Sequence, residues 1–152
     1  MKILVLSDSH GSKNNMLDAV SLESPDMILH LGDCEKDCSV LALRYPDIPL
    51  RKVRGNCDRL SPELDTDEFK IEDKRFMMTH GHVYNVKIGN DRIIEIAGYR
   101  GADVLLYGHT HIPHHSVVEG IEVINPGSIG SGKSYAVLEV KNGAVSCELK
   151  TL

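Results

Sequence analysis

Residues 2–7 form an almost unbroken apolar run that stops at Ser7 and Asp8. A run that ignores alternation marks a strand buried on both faces of a parallel sheet. A helix is predicted next, with Ser12 at its N-cap and Met16, Leu17, Ala19 and Val20 facing inward, until Pro25 stops it. Met27–Leu31 reads as a second strand, and Cys38, Leu41, Ala42 and Tyr45 recur at helical spacing before Pro46. Leu50–Arg54 supplies a third strand. Two β-α steps of this kind predict parallel strands joined by right-handed crossovers. The loops after Leu6, Leu31 and Val53 would then gather at one sheet edge, where ligands bind in such sheets.

Further along, Phe69–Ile71 and Arg75–Met78 flank a turn at Glu72, Asp73 and Lys74. A helix is predicted from Asp91 to Arg100, ended by Gly101, and Val104–Tyr107 is another buried strand. The last third alternates and turns as antiparallel sheet does: Ser116–Val118, Glu119-Gly120, Ile121–Ile124, Tyr135–Val140, Asn142-Gly143 and Ala144–Leu149. Strands mixed with helices early and strands alone late predict two stacked mixed β-sheets flanked by helices, an α/β/β/α sandwich. No linker, repeat or low-complexity tract divides residues 1–152, so one domain is expected.

Composition narrows the function classes. The chain of 152 residues is 41% hydrophobic and 26% charged, an ordinary globular mixture. A net charge of -5 gives no global basic field, which argues against binding nucleic acid or anionic membrane. A polymer-cutting nuclease would also want stacking aromatics, and there is no Trp. The apolar start is too short for a signal-peptide core, no run reaches membrane-spanning length, and Cys34, Cys38, Cys57 and Cys147 are scattered. The cytoplasm is the expected compartment.

Chemistry concentrates in short clusters, each just after an apolar strand: Asp8-Ser9-His10-Gly11, Gly32-Asp33, Gly55-Asn56-Cys57-Asp58, His80-Gly81-His82 and Gly108-His109-Thr110-His111. Carboxylate and imidazole together suit Mn, Fe, Ni or Zn, and adjacent glycines let backbone and ion approach. A structural zinc site would need thiolates at knuckle or finger spacing, which are absent.

Any one cluster recurs by chance, but their order resembles that of the calcineurin-like metallophosphoesterase superfamily, from Asp8 to His111. The short chain, the Asn56-Cys57-Asp58 form and Asn125-Pro126-Gly127-Ser128 resemble its small YfcE-like phosphodiesterase branch. The resemblance implies two divalent transition-metal ions, manganese first and nickel, iron or zinc as alternatives. Asp8, His10 and His111 would hold one ion, Asn56, His80 and His109 the other, and Asp33 would bridge. It implies catalytic roles for Asp33, Asn56 and His80, with attack on a small or exposed phosphodiester by a metal-bridging hydroxide. Asn125–Ser128 would line the site.

One position departs from the pattern. Many members carry histidine after the asparagine, to contact phosphate or protonate the leaving group, whereas this chain has Cys57. A thiol is a weak donor without an imidazolium's charge, so diesters are expected to be better substrates than alkyl phosphomonoesters. Asn56, Cys57 and His82 are the expected substrate contacts. Cys57 as a nucleophile lacks an adjacent base. Gly127, Gly132, Lys133 and Ser134 match a nucleotide P-loop but lead into a strand pattern rather than a helix. His30 reads as a core histidine, and His114 and His115 as surface residues. The alternatives are a non-catalytic protein-binding scaffold, as one retromer subunit of this fold is, and a phosphomonoesterase. The expected partner is a small phosphate ester, with a homodimer as the commonest assembly.

Overall fold

The computed structural model describes residues 1–152. Its elements run β1 (Lys2–Leu6), α1 (Lys13–Glu23), β2 (Met27–His30), a 3₁₀ turn (Glu35–Cys38), α2 (Ser39–Arg44) and β3 (Leu50–Lys52). They continue with β4 (Thr66–Ile71), β5 (Lys74–Thr79), a second 3₁₀ turn (His82–Tyr84), α3 (Asp91–Tyr99) and β6 (Val104–Tyr107). The chain ends with β7 (Pro113–Val118), β8 (Ile121–Pro126), β9 (Ser134–Lys141) and β10 (Ala144–Thr151).

Two mixed sheets of five strands result, ordered β10-β9-β1-β2-β3 and β4-β5-β6-β8-β7. In the first, β1, β2 and β3 are parallel, and β9 and β10 add antiparallel. In the second, β5, β6 and β8 are parallel between the antiparallel edge strands β4 and β7. Alternation along each strand decides the layers. Ile3 and Val5 of β1 meet Met78, Leu106 and Ile124 between the sheets, while Leu4 and Leu6 face outward onto Met16, Ala19 and Val20 of α1. On the far side, Met77, Leu105 and Val123 pack against Ile93 and Ala97 of α3. The arrangement is the expected α/β/β/α sandwich, with no helix long and apolar enough to cross a membrane.

Boundaries differ where local pattern and tertiary pairing compete. The segment predicted as one helix begins as a 3₁₀ turn, and Ala42 is exposed, because α2 leans on the sheet through Leu41 with Val40 beside it. β3 stops at Lys52, two residues early. β4 starts at Thr66 because cross-strand pairing with Thr79 extends it through polar residues, and β7 starts at Pro113 by pairing with Pro126. Glu119-Gly120 and Asn142-Gly143 both have positive φ at each residue, the backbone that two-residue hairpins need. Gly132-Lys133-Ser134 enters β9 and opens no helix, so the P-loop match is accidental.

Glu23, at the C-terminal end of α1 where a negative charge is poorly placed, is buried yet fully engaged. Its Oε1 accepts from the Tyr135 hydroxyl at 2.9 Å and from Lys150 Nζ at 3.1 Å, and Lys2 Nζ lies 3.1 Å from Oε2. The cluster ties α1 to β1, β9 and β10. Burial alone would raise the Glu23 carboxyl, but hydrogen bonds from Lys2, Tyr135 and Lys150 hold it below its ordinary 4.5. Its contribution is therefore complete above that pH and is lost as pH falls through the depressed value. In denaturant unfolding at neutral pH, Glu23→Gln should cost about 1–3 kcal/mol. Wild type and variant should converge in stability as pH drops below the carboxylate range; a constant gap would contradict the assignment.

Candidate active site

All five clusters meet at one edge, where the C-terminal ends of β1, β2, β3, β5 and β6 come together. Hydrogen bonds from the Asp8 amide to the Gly32 carbonyl (3.0 Å) and from the Gly108 amide to the His80 carbonyl (3.1 Å) align the loops within each sheet. Between the sheets, Asp8 Oδ2 accepts from the His109 amide at 3.1 Å. Space is tight at the crossing points. A Cβ on Gly55 would lie 2.2 Å from Asp33 Oδ1, and one on Gly108 would lie 2.1 Å from Ser7 Oγ, so only glycine fits.

The backbone here is held in a conformation that side chains avoid. Asp8, His10, Asp33, His109 and His111 all have φ between 43° and 68°. Left-handed non-glycine residues cost of order 1–3 kcal/mol each and persist where the surrounding structure over-determines them. Their clustering at one sheet edge is a mark of function rather than of turn geometry.

The predicted donors form two groups, and a third triplet of His10, Asp33 and Cys57 shares a member with each. Ligand atoms of Asp8, His10 and His111 all lie within 4.8 Å of one another, and so do those of Asp33, His80 and His109. His111 Nε2 is 3.0 Å and His10 Nε2 3.9 Å from Asp8 Oδ1. In the second group His80 Nε2 is 3.1 Å from His109 Nδ1, 3.2 Å from Asn56 Oδ1 and 3.4 Å from Asp33 Oδ2. Asp33 Oδ2 also stands 3.8 Å from His10 Nε2, between the groups. Asp8, Asp33 and His80 are buried, His109 is half-buried, and His10, Asn56 and His111 are exposed.

Several features suit a cation. His80 donates its Nδ1 proton to the Leu31 carbonyl at 2.8 Å, which turns Nε2 toward the cluster as an acceptor. Burial opposes charge on His80, but a hydrogen bond with Asp33 and the charges of Asp8 and Asp33 raise its basicity. Burial also works against the Asp33 carboxylate, yet His80 and the Cys57 amide (2.8 Å) hold it well below the usual range. His109 is pushed down to about 4, by burial first and then by His80. Oxygen and imidazole donors packed this closely around buried carboxylates fit divalent transition metals.

Other predicted residues fall into place around the groups. Cys57 is exposed at the rim, and its thiol is pushed up to about 11, chiefly by burial and by its hydrogen bond to Asp33. His82 stands behind His80, ring centroids 5.4 Å apart, with Nε2 3.9 Å from Asp65. His30 is wholly buried, its Nδ1 accepting from the Gly32 amide at 3.2 Å. His115 pairs with Glu122 at 2.6 Å, away from the clusters. Asn125 donates to the Gly108 carbonyl and to Thr110 Oγ1, both at 3.0 Å, and Ser128 Oγ donates to the Asp8 carbonyl at 2.9 Å.

Two carboxylates support the site: Asp58, part of a cluster already noted but given no role there, and Asp37, which the sequence reading did not single out. Asp58 Oδ1 accepts from the Cys34 amide (2.9 Å) and the Glu35 amide (3.2 Å), and Oδ2 from the Gly55 amide (2.8 Å). Asp37 Oδ2 accepts from Ser9 Oγ at 2.9 Å and the Gly11 amide at 2.7 Å. Their signal was present only as an acidic residue close to each cluster, which spacing alone does not distinguish from a solvated charge. Arg54, held by two bonds to Asp65 at 2.8 and 2.7 Å, adds an unanticipated cation beside His82.

The family model for the calcineurin-like phosphoesterase superfamily domain matches residues 1–143. The probable metallophosphoesterase YsnB of Bacillus subtilis is 32% identical, over 96% of this chain and 88% of its own. The phosphodiesterase YfcE of Escherichia coli K12 is 26% identical, over 91% and 88% respectively. A crystal structure of a predicted phosphoesterase from Streptococcus pneumoniae shares the fold with a TM-score of 0.82 at 23% identity, covering 99% of this chain and 88% of that one. On its sequence match, its fold and the donors gathered at its sheet edge, the chain belongs to the calcineurin-like phosphoesterase superfamily.

Proposed function

We propose that this protein is a phosphodiesterase that works with two divalent metal ions, manganese first among them, on a small or exposed phosphodiester in the cytoplasm. The observation that carries the reading is Asp33, whose Oδ2 faces both His10 and His80 and so can serve two ions at once. Asp8, His10 and His111 would hold one ion; Asn56, His80 and His109 would hold the other. Ions so held supply an activated water near neutral pH and polarise the phosphoryl oxygens.

The chain's own residues do the rest. The Leu31 carbonyl fixes the His80 ring, so its Nε2 lone pair would need no reorganisation to hold a metal ion. Asp58 holds the loops of Asp33 and Asn56 together through the Cys34 and Gly55 amides, and thereby sets how Asn56 stands relative to Asp33. Asn56 offers Oδ1 inward while its Nδ2 turns to Cys57 Sγ at 3.4 Å, at the rim where an ester would arrive. With Cys57 at that rim, the site brings less positive charge to a dianionic monoester than an imidazolium would, because a thiol carries none. His82, with its ring 5.4 Å from that of His80, would be the imidazole to meet the substrate.

Metal-free protein should hydrolyse neither bis(p-nitrophenyl) phosphate nor p-nitrophenyl phosphate, and manganese should restore the diester rate preferentially. Asp33→Ala should lower that rate by more than about a hundredfold, beyond the loss typical of a residue that only supports a ligand. Asp58→Asn, by contrast, should weaken metal affinity about 10- to 100-fold while saturating metal recovers much of the rate. Equal rates for wild type and Asp33→Ala would remove the two-ion reading. Cys57→His should shift the monoester-to-diester ratio upward by about tenfold or more, within the usual yield of a positioned acid. An unchanged ratio in steady-state assays would show that Cys57 does not set the preference.

A further inference from the structure

One sulfur stands among the oxygen and nitrogen donors of the sheet edge. The ligand atoms of His10, Asp33 and Cys57 lie within 4.8 Å of one another, the same spread as in the Asp8 and Asp33 groups. Two donors on one transition-metal ion stand at most about 4.4 Å apart, the sum of bonds of about 2.1 and 2.3 Å, so this triplet closes on an ion with shifts of a few tenths of an ångström.

The loop fixes the sulfur there. The Cys57 amide donates to Asp33 Oδ1 at 2.8 Å, which seats the residue against the carboxylate that stands between the two groups. Asp58, next in the chain, accepts from the Gly55 amide at 2.8 Å and from the Cys34 amide at 2.9 Å, so the turn that carries Cys57 is tied to the Asp33 loop. Asn56 Nδ2 donates to Cys57 Sγ at 3.4 Å, so the sulfur already serves as an acceptor. His10 turns Nε2 toward Asp8 Oδ1 (3.9 Å) and Asp33 Oδ2 (3.8 Å). A sulfur close to both His10 and Asp33 therefore falls beside the ion that Asp8, His10 and His111 would hold. Cys34 is the contrasting case. Its Sγ is 3.8 Å from Nδ1, the other nitrogen of the His10 ring, and it enters no triplet. Buried Cys38 and Cys147 on β10 enter none either.

We infer that Cys57 is itself a metal ligand, its sulfur joining Asp8, His10, Asp33 and His111 on one ion and giving that ion a soft donor that the ion of His80 and His109 lacks. The inference rests on the proposed two-ion reading and adds a ligand to it. The thiol gives up its proton to solvent as the sulfur–metal bond forms, whatever its acidity in the bare chain.

Anaerobic titration of the metal-free full chain with cobalt(II), followed by absorption, tests this without turnover. Wild type should develop the visible bands of protein-bound cobalt together with a near-ultraviolet sulfur-to-cobalt charge-transfer band. Cys57→Ser should lose the charge-transfer band and keep the visible ones, whereas Cys34→Ser should keep both. His111→Ala, which removes a donor of the Asp8 group alone, should move the charge-transfer band to cobalt concentrations about tenfold higher or more, at least the cost of losing a residue that only supports a ligand. A charge-transfer band that survives in Cys57→Ser, or that is missing from wild type while the visible bands appear, overturns the ligand role and leaves the metal site standing. A band that His111→Ala does not move overturns its assignment to the ion of the Asp8 group. Failure of wild type to bind cobalt at all would instead overturn the two-ion reading, and the role of the sulfur with it.

Discussion

Two carboxylates held in the interior, Asp8 and Asp33, set the terms for the rest of the molecule. An ionised carboxylate out of water is expensive unless it is paired or hydrogen-bonded, and here two stand at the mouth where both sheets converge. Backbone amides from Cys57 and His109 and the ring of His80 repay part of that cost. Every one of those partners comes from a loop at the end of a different strand. The sheets must therefore pair in one register for the charges to be tolerated, and a slip of one residue in β2 or β6 would bury a carboxylate without its donors.

The same constraint explains the strained backbone. Parallel strands deliver their loops to a common edge, but a side chain leaving such a loop normally points along the strand or into solvent. The left-handed conformations at Asp8, Asp33, His109 and His111 turn these side chains back over the edge. The apolar layer of Ile3, Val5, Leu29, Leu31 and Leu106 anchors the strands firmly enough to hold that strain.

Much of this was legible in the residue pattern, for physical reasons. Unbroken apolar runs such as Ile3–Leu6 and Val104–Tyr107 have no other comfortable home than a sheet covered on both faces, so layers and order could be read directly. Most donors were legible because they follow such a run, whereas Asn56 follows the charged strand Leu50–Lys52. What could not be read was whatever depends on contacts distant in sequence. The polar start of β4 is a strand only because Thr79 lies opposite Thr66. Asp58 looked like one more acidic member of a cluster, yet it points away from the donors and caps two loops. His30 could be expected in the core, but the Gly32 amide that meets its ring is a tertiary detail of a tight turn.

The unequal depth of the donors has its own consequence. The Asp8 group leans on two imidazoles that water already reaches, whereas the Asp33 group is built around the fully buried His80. Side chains in solvent can swing away at little cost, and those locked in a core cannot. Metal ions held by the two groups would thus exchange with the surroundings at different speeds. The inner ion would behave as part of the fold, and the outer one as a replaceable reagent whose identity follows the supply of metals around the protein.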